Sequence, residues 1–338
     1  MSTTTIEDVA RRAGVSTATV SRALRGLPNV APSTRDRVLR VAQEMAYALP
    51  GIGASSKTVG IISLMTDQWF FNRLGASVEA VLMSQGYNFL RQSVSDAAEQ
   101  TSKIQHLVTQ YRVDGLLIIT VPLSEESLAF LSQAGRPVVT IETRAPDFPA
   151  VYCDNIAAAR MATQHLLNLG HERIGVISGL PDDPVGFSVP NQRLRGYHLH
   201  LEAQGIEVRP ELNVPGNFSY AGGAEATVRL LSVPHPPTAI LAFSDEMAIG
   251  AIKTLRDMGL RVPQDISVIG FDDQDVAAYV GLTTVQQPVN DFGEEAVNLL
   301  LQQLQSPGSP VQSVQLPTRL VIRSTTGPLR EKKRPSPG

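Results

Sequence analysis

Thr17, Ala18, Ser21 and Arg22 fall at i, i+1, i+4 and i+5, a spacing that gathers them with Arg25 on one face of a helix. An arginine there can present its forked donors to guanine O6 and N7, while hydroxyls and small methyl groups suit phosphates and base edges. Ser16 and Ser21 are of the type that holds phosphates, which fix register without reading sequence. The chemistry implied is the reading of duplex DNA in the major groove, and it requires a short, well-anchored helix.

The flanking sequence supplies that anchor. Thr5 followed three residues later by Asp8 fits a capping box. Ile6, Val9, Ala10 and Ala13 then recur at helical spacing. Gly14 offers the tight turn, Ser16 opens a second helix, and Val20, Ala23 and Leu24 face inward. A second capping pattern at Ser33 and Asp36 predicts a third helix running through Val38, Leu39, Val41, Ala42 and Met45 to Tyr47. Residues 1–60 hold eight Lys or Arg against four acids. The chain's totals of 29 and 32 then leave 21 against 28 for the rest. A basic head on an acidic body is the asymmetry of a DNA reader joined to another unit.

The run Asp8-Val-Ala-Arg-Arg-Ala-Gly-Val-Ser-Thr-Ala-Thr-Val-Ser-Arg-Ala-Leu24 resembles the headpiece of the LacI/GalR family of bacterial transcription repressors. The stretches Ala242–Ala251, Val262–Asp273 and Leu282–Pro288 agree with it, so the resemblance covers nearly the whole chain. It implies a helix-turn-helix headpiece followed by two doubly wound parallel-sheet α/β lobes of the periplasmic-binding-protein type. The body's own pattern fits: short β-branched runs alternate with helical ones at 59–65, 87–91, 115–119 and 137–141, then at 174–178, 239–243 and 266–270. The expected layout is a headpiece at 1–48, a shortened linker at 49–58, and a two-lobed effector and dimerisation domain at 59–326. Its N-lobe takes about 59–157 and 288–315, its C-lobe about 158–287 and 316–326. Crossings between lobes are expected near 156–160, 285–290 and 315–320. The tail 327–338, rich in Pro and Lys/Arg, is expected to be disordered.

Ligands in open α/β sheets sit beyond the carboxyl ends of the strands. The segment after the first strand, with Asp67, Trp69, Phe70 and Phe71, therefore offers flat rings to stack on a sugar and a carboxylate to accept its hydroxyls. The resemblance adds Arg193, whose guanidinium would reach into the cleft, Phe218 as an aromatic platform, and Asp245 as the acid that anchors a ligand hydroxyl or ring nitrogen. Asp154, Asp272, Asp273 and Gln287 are weaker candidates, since helix capping and hinge hydrogen bonds explain them equally well. The family default effector is a mono- or disaccharide, with purine-like and sugar-phosphate effectors left open by Arg193.

For DNA, the resemblance sets Thr17, Ala18 and Arg22 against base edges, with Thr5, Ser16, Ser21 and Asn29 in supporting contacts. The chain departs from the family after Tyr47, where Ala-Leu49-Pro50-Gly51-Ile52-Gly53 replaces the usual hinge-helix sequence. Leu49 or Ile52 could wedge into the minor groove; a plain tether without insertion is the rival reading. A homodimer on a pseudo-palindromic operator follows from one recognition helix reading only a half-site. No cofactor and no metal are expected.

Other classes fit poorly. Cys153 has no histidine nearby in sequence. His198 and His200 diverge on a helix, and Gly51-Ile-Gly-Ala-Ser lacks a preceding strand and a Gly-Lys-Ser/Thr ending, so enzymatic activity is not expected. A single cysteine excludes an internal disulfide. With neither a signal-peptide core nor a membrane-length apolar run, a cytoplasmic protein is expected and a transport-type binding protein is not. Control by a phosphocarrier-type protein partner, or sugar binding without gating of DNA, stands as the alternative.

Overall fold

The computed structural model describes residues 4–24, 30–45, 47, 56–64, 67–95, 97–179, 186–306, 310 and 312–330. Asn29, Leu49 and Ile52 lie outside the described residues, as does most of the linker.

The headpiece is built from α1 (Ile6–Ala13), α2 (Thr17–Leu24) and α3 (Pro32–Glu44). Thr5 caps α1 reciprocally with Asp8, and Gly14 ends it at φ 65°, the left-handed region where a side chain is disfavoured. Ser16 Oγ accepts the Thr19 amide, which starts α2. Val9, Ala13, Val20, Ala23 and Val38 close a small core between the three helices. The third helix begins one residue before the predicted Ser33 cap. Pro32 takes the first helical position, and the Thr34 and Arg35 amides bond the Ala31 carbonyl. Proline's fixed φ and missing N–H suit that position, so it outcompetes a serine one step later.

Two six-stranded sheets follow. The first contains β1 (Thr58–Leu64), β2 (Asn88–Val94), β3 (Gly115–Ile119), β4 (Val138–Ile141), β5 (Ala150–Tyr152) and, from far along the chain, β11 (Val314–Gln315). The second contains β6 (Ile174–Ser178), β7 (Asn213–Pro215), β8 (Ala239–Ala242), β9 (Ser267–Asp272), β10 (Thr283–Gln286) and β12 (Arg319–Val321). Their orders, β2-β1-β3-β4-β5-β11 and β7-β6-β8-β9-β10-β12, are the same arrangement used twice. All pairings are parallel save β10 with β12. The short strands β7, β10, β11 and β12 went unread in the sequence, being too brief to show a period.

Helices cover both faces of each sheet. On the first, α4 (Trp69–Ser84) pairs with the late helix α12 (Val289–Gln305), and α5 (Ala97–Thr109) with α6 (Glu125–Ala134) covers the opposite face. On the second, α7 (Asn155–Asn168), α8 (Val189–Ala203), α9 (Tyr220–Leu231) and α10 (Asp245–Asp257) enclose one continuous core, and α11 (Asp275–Val280) adds Ala277. The chain crosses between lobes at 152–155, 286–289 and 315–319. The first crossing comes slightly before the expected 156–160, because α7 already packs along α8. Residues at the start of the expected tail are tied down: the Gly327 carbonyl accepts from His171 and the Leu329 amide bonds the Leu169 carbonyl. No helix of the described residues is long and apolar enough to cross a membrane.

The α9 to α10 contact depends on small residues on both helices, since a Cβ at Gly223 would meet the Met247 backbone. A Cβ at Gly250 would fall against the Tyr220 carbonyl oxygen, which cannot swing away as a side-chain tip would. Gly250→Ala is therefore expected to cost about 1–3 kcal/mol, read as a lower urea midpoint. An unchanged midpoint would show that the two helices part without penalty.

Candidate functional site

Both sheets direct the carboxyl ends of their strands toward a shared cleft, where the chain adopts backbone that side chains seldom take. Thr120 after β3, Glu142 after β4, Asp272 at the end of β9 and Phe218 after β7 have φ of 58°, 56°, 122° and 49°. Such conformations persist only where the surroundings enforce them, and they gather at functional sites. All four residues line a cavity of about 30 Å³ whose walls come from both lobes. A second cavity of about 290 Å³ borders it, with Glu142 lining both.

Of the predicted effector residues, Phe70, Phe71, Arg193, Phe218, Asp272 and Gln287 line the inner cavity. The rings of Phe71 and Phe218 lie 6.1 Å on either side of Phe187, giving a continuous aromatic wall. Arg193, 4 % exposed, projects from α8. Its Nε donates to Asn155 Oδ1 at 2.9 Å and one terminal nitrogen donates to the Phe243 carbonyl at 2.5 Å. Its guanidinium carbon sits 3.6 Å from the Phe271 ring centre. Nε and one terminal nitrogen are thus committed to the lobe's own groups, while the second terminal nitrogen makes no hydrogen bond among the described residues and stays available at the cavity that Arg193 lines.

Asp245 departs most from expectation. It is 0 % exposed and does not line the cavity. Its carboxylate accepts the Gln274 amide at 2.8 Å and the Thr284 hydroxyl at 2.6 Å, clasping the start of α10 to the β9–α11 turn and to β10. Of the predicted acids, the one that lines the cavity is Asp272, which accepts from Gln287 Nε2 at 2.6 Å. Asp273 turns away to pair with Arg323 at 2.7 Å. Asp154 caps α7 through the Ala157 amide. Asp67 is exposed beside α4, where its carbonyl accepts from Asn72. Trp69 packs on the first lobe's core outside the cavity, while its amide donates to Glu246 Oε1 of the other lobe at 3.0 Å.

Sequence reasoning missed Glu142, Asn155, Phe187 and Glu246. Glu142 accepts the Cys153 amide at 2.6 Å and Asn155 Nδ2 at 2.8 Å, so a chain of bonds runs from the first lobe through Asn155 to Arg193. The strand-end rule that selected residues 67–71 selects Glu142 after β4 and Glu246 after β8 when applied to every strand; Phe187 had no such signal. Burial pushes the carboxyls of Glu142, Asp245 and Glu246 above their usual range and that of Asp272 up to about 7. The buried Cys153 thiol is likewise pushed up beside Glu142, which makes it a poor nucleophile. Among the described residues no group of three His, Cys, Asp or Glu is arranged to hold a metal ion.

On the headpiece, Ser16, Thr17, Ala18 and Arg22 are exposed along one side of α2 and Ser21 is half-buried, opposite the buried Val20 and Ala23. Thr5 is exposed at the start of α1 with its hydroxyl engaged by Asp8.

Since the folded chain keeps the Asp272 proton to about pH 7 and an unfolded aspartate releases it near 4, the folded state binds more protons between those values. Stability then falls as pH rises through that window, and the upward-shifted Glu142, Asp245 and Glu246 act in the same direction. The urea midpoint is expected to decline between pH 5 and 7, with Asp272 contributing up to about 1.4 kcal/mol per pH unit. Asp272→Asn should show the shallower decline, and identical slopes in both proteins would remove Asp272 as a source.

The fold and site have clear relatives. Residues 5–49 match the bacterial regulatory proteins of the lacI family, and residues 163–326 match a periplasmic binding protein-like domain. Catabolite control protein A of Priestia megaterium is 35 % identical over 335 residues, covering 95 % of this chain and 99 % of that protein. A transcriptional regulator CelR–cellobiose complex superposes with a TM-score of 0.70 at 31 % identity, over 95 % of this chain and 99 % of the other. The lac repressor dimer bound to operator and the anti-inducer ONPF does so at 0.72 and 28 %, over 96 % and 100 %. The chain belongs to the lacI family of bacterial regulatory proteins.

Proposed function

We propose that this chain is a DNA-binding transcriptional regulator, acting as a repressor, whose operator affinity is set by a small sugar-like effector held between the two lobes. The observation that carries this reading is the joining, in one chain, of an exposed recognition face on α2 to a cleft whose aromatic and carboxylate walls come from both lobes. A ligand touching both walls changes the balance between lobe arrangements by its differential affinity for them. Operator affinity follows by the same coupling free energy. The cellobiose-bound and operator-bound relatives support the two halves of this reading.

In this reading Arg22 reads a guanine from the middle of α2, Thr17 and Ala18 contact neighbouring base edges, and Ser16, Ser21, Thr5 and Asn29 position the backbone. A homodimer brings two such helices to a pseudo-palindromic operator. Between the two helices the segment after Tyr47 would act as a plain tether, or Leu49 or Ile52 would wedge into the minor groove at the operator's centre. We read the chain as headpiece, linker and two lobes, the lobes joined by three chain crossings. The mono- or disaccharide class is favoured by Phe70, Phe71 and Phe218 along the wall. The protein acts by binding, without catalysis, inside the cell.

Fluorescence anisotropy on a selected palindromic site at fixed salt tests both halves. Arg22→Ala is expected to lose about 1–3 kcal/mol of discrimination at one base pair per half-site, and equal loss on every sequence would assign Arg22 to phosphate instead. A sugar panel is expected to contain a compound that moves operator affinity at least tenfold, with Phe218→Ala removing that shift. A shift that survives in Phe218→Ala would place the effector elsewhere.

A further inference from the structure

The inner cavity, at about 30 Å³, has room for only a group or two the size of a water or an ammonium. Five phenylalanines, Phe70, Phe71, Phe187, Phe218 and Phe243, wall it, and none brings a hydroxyl. Phenylalanine faces carry the negative part of the ring quadrupole and attract cations. Three carboxylates, Glu142, Glu246 and Asp272, line it beside neutral groups such as Thr120, Ser244 and Gln287, and Asp245 lies behind them. The one basic residue lining it is Arg193, whose Nε and one terminal nitrogen are engaged by Asn155 and the Phe243 carbonyl and whose plane lies on the Phe271 ring, leaving one terminal nitrogen for the cavity.

The chamber is therefore short of positive charge. Burial raises the proton affinity of all four carboxyls, so a cation entering beside them favours their ionised forms. An anionic ligand group would instead favour their protonated forms and meet one guanidinium alone in a poorly solvated space. A metal cation is not the answer, since the described acids are not arranged as a metal site. The adjoining cavity of about 290 Å³ is large enough for the remainder of a ligand, and its lining is mixed: Leu123, Thr143, Arg144, Tyr152 and Gln192. Glu142 lies on the boundary of both.

We propose that the effector carries a protonated amine, which enters the phenylalanine-walled chamber against Glu246 and Asp272 while its polar body occupies the adjoining cavity, and that phosphorylated and carboxylated ligands are rejected. This rests on the cleft being the effector site. It narrows the effector to an organic ammonium compound, such as an amino sugar or a small polyamine, and closes the sugar-phosphate alternative that Arg193 alone left open. Glu246 and Asp272 are the specificity determinants. Glu246 also accepts the Trp69 amide from the opposite lobe, so it joins ligand charge to the contact between lobes.

Trp69 is the chain's single tryptophan, and its fluorescence in the full-length protein reports on that contact. The probes are matched sets: glucosamine, glucose and glucose 6-phosphate; galactosamine, galactose and galactose 6-phosphate; the glucosamine disaccharide and cellobiose; putrescine and 1,4-butanediol. The amine member is expected to bind at least tenfold tighter than its neutral parent, with the phosphate weakest. Glu246→Gln keeps an acceptor for the Trp69 amide while removing the charge, and it should bring the amine down to its neutral parent. Asp272→Asn should do the same from the opposite wall. Neutral or phosphorylated members binding as tightly as the amine, or a preference that survives both substitutions, overturns this proposal alone. Silence from every set, in fluorescence and in operator affinity, overturns the cleft-effector reading beneath it.

Discussion

Arg193 is the guanidinium around which the buried carboxyl groups of the cleft are arranged. Four carboxyl groups, from Glu142, Asp245, Glu246 and Asp272, share its neighbourhood, and each is displaced toward its protonated form by burial. Breaking a buried pair by removing one partner leaves an uncompensated charge and is costly, so the surrounding groups are fixed around the arginine. Asn155 holds Nε, the Phe243 carbonyl holds a terminal nitrogen, and Phe271 supports the plane. The ends of β4, β8 and β9 and the starts of α7 and α8 are positioned by this one arrangement.

The same arrangement ties the lobes together. Glu142 belongs to the first lobe, yet its bonds run through Asn155 to Arg193 in the second. Glu246 belongs to the second lobe, yet it accepts the amide that opens α4 in the first. There a carboxylate meets unpaired backbone N–H groups and the positive end of the helix dipole. Charge arriving in the cavity therefore acts on contacts that span the lobes as well as on the groups that bind it. Three chain crossings convert such a change into a concerted shift.

The headpiece works on a different principle. Its core is small, and its precision comes from local devices: the reciprocal cap at Thr5 and Asp8, the left-handed turn at Gly14, and the Ser16 cap. These satisfy backbone groups that three short helices would otherwise leave open. Recognition is thereby left to the exposed side of α2, away from the core.

The sequence by itself determined the helix pair pinched at Gly14, the charge asymmetry between head and body, and the alternation of strands and helices, because each is written in local spacing. Phe70, Phe71, Arg193, Phe218 and Gln287 were legible as lining residues from strand ends and family positions. What the tertiary structure alone decided is which acid faces the ligand. Asp245 and Glu246 are neighbours at the start of α10. Asp245 is drawn inward by Gln274 and Thr284, 29 and 39 residues away, whereas Glu246 is left to line the cavity. Asp272 faces the same cavity while its neighbour Asp273 is turned to Arg323, 50 residues on. Whether a carboxylate or a guanidinium serves a ligand or the fold depends on partners that only long-range packing brings near, and no local spacing encodes that.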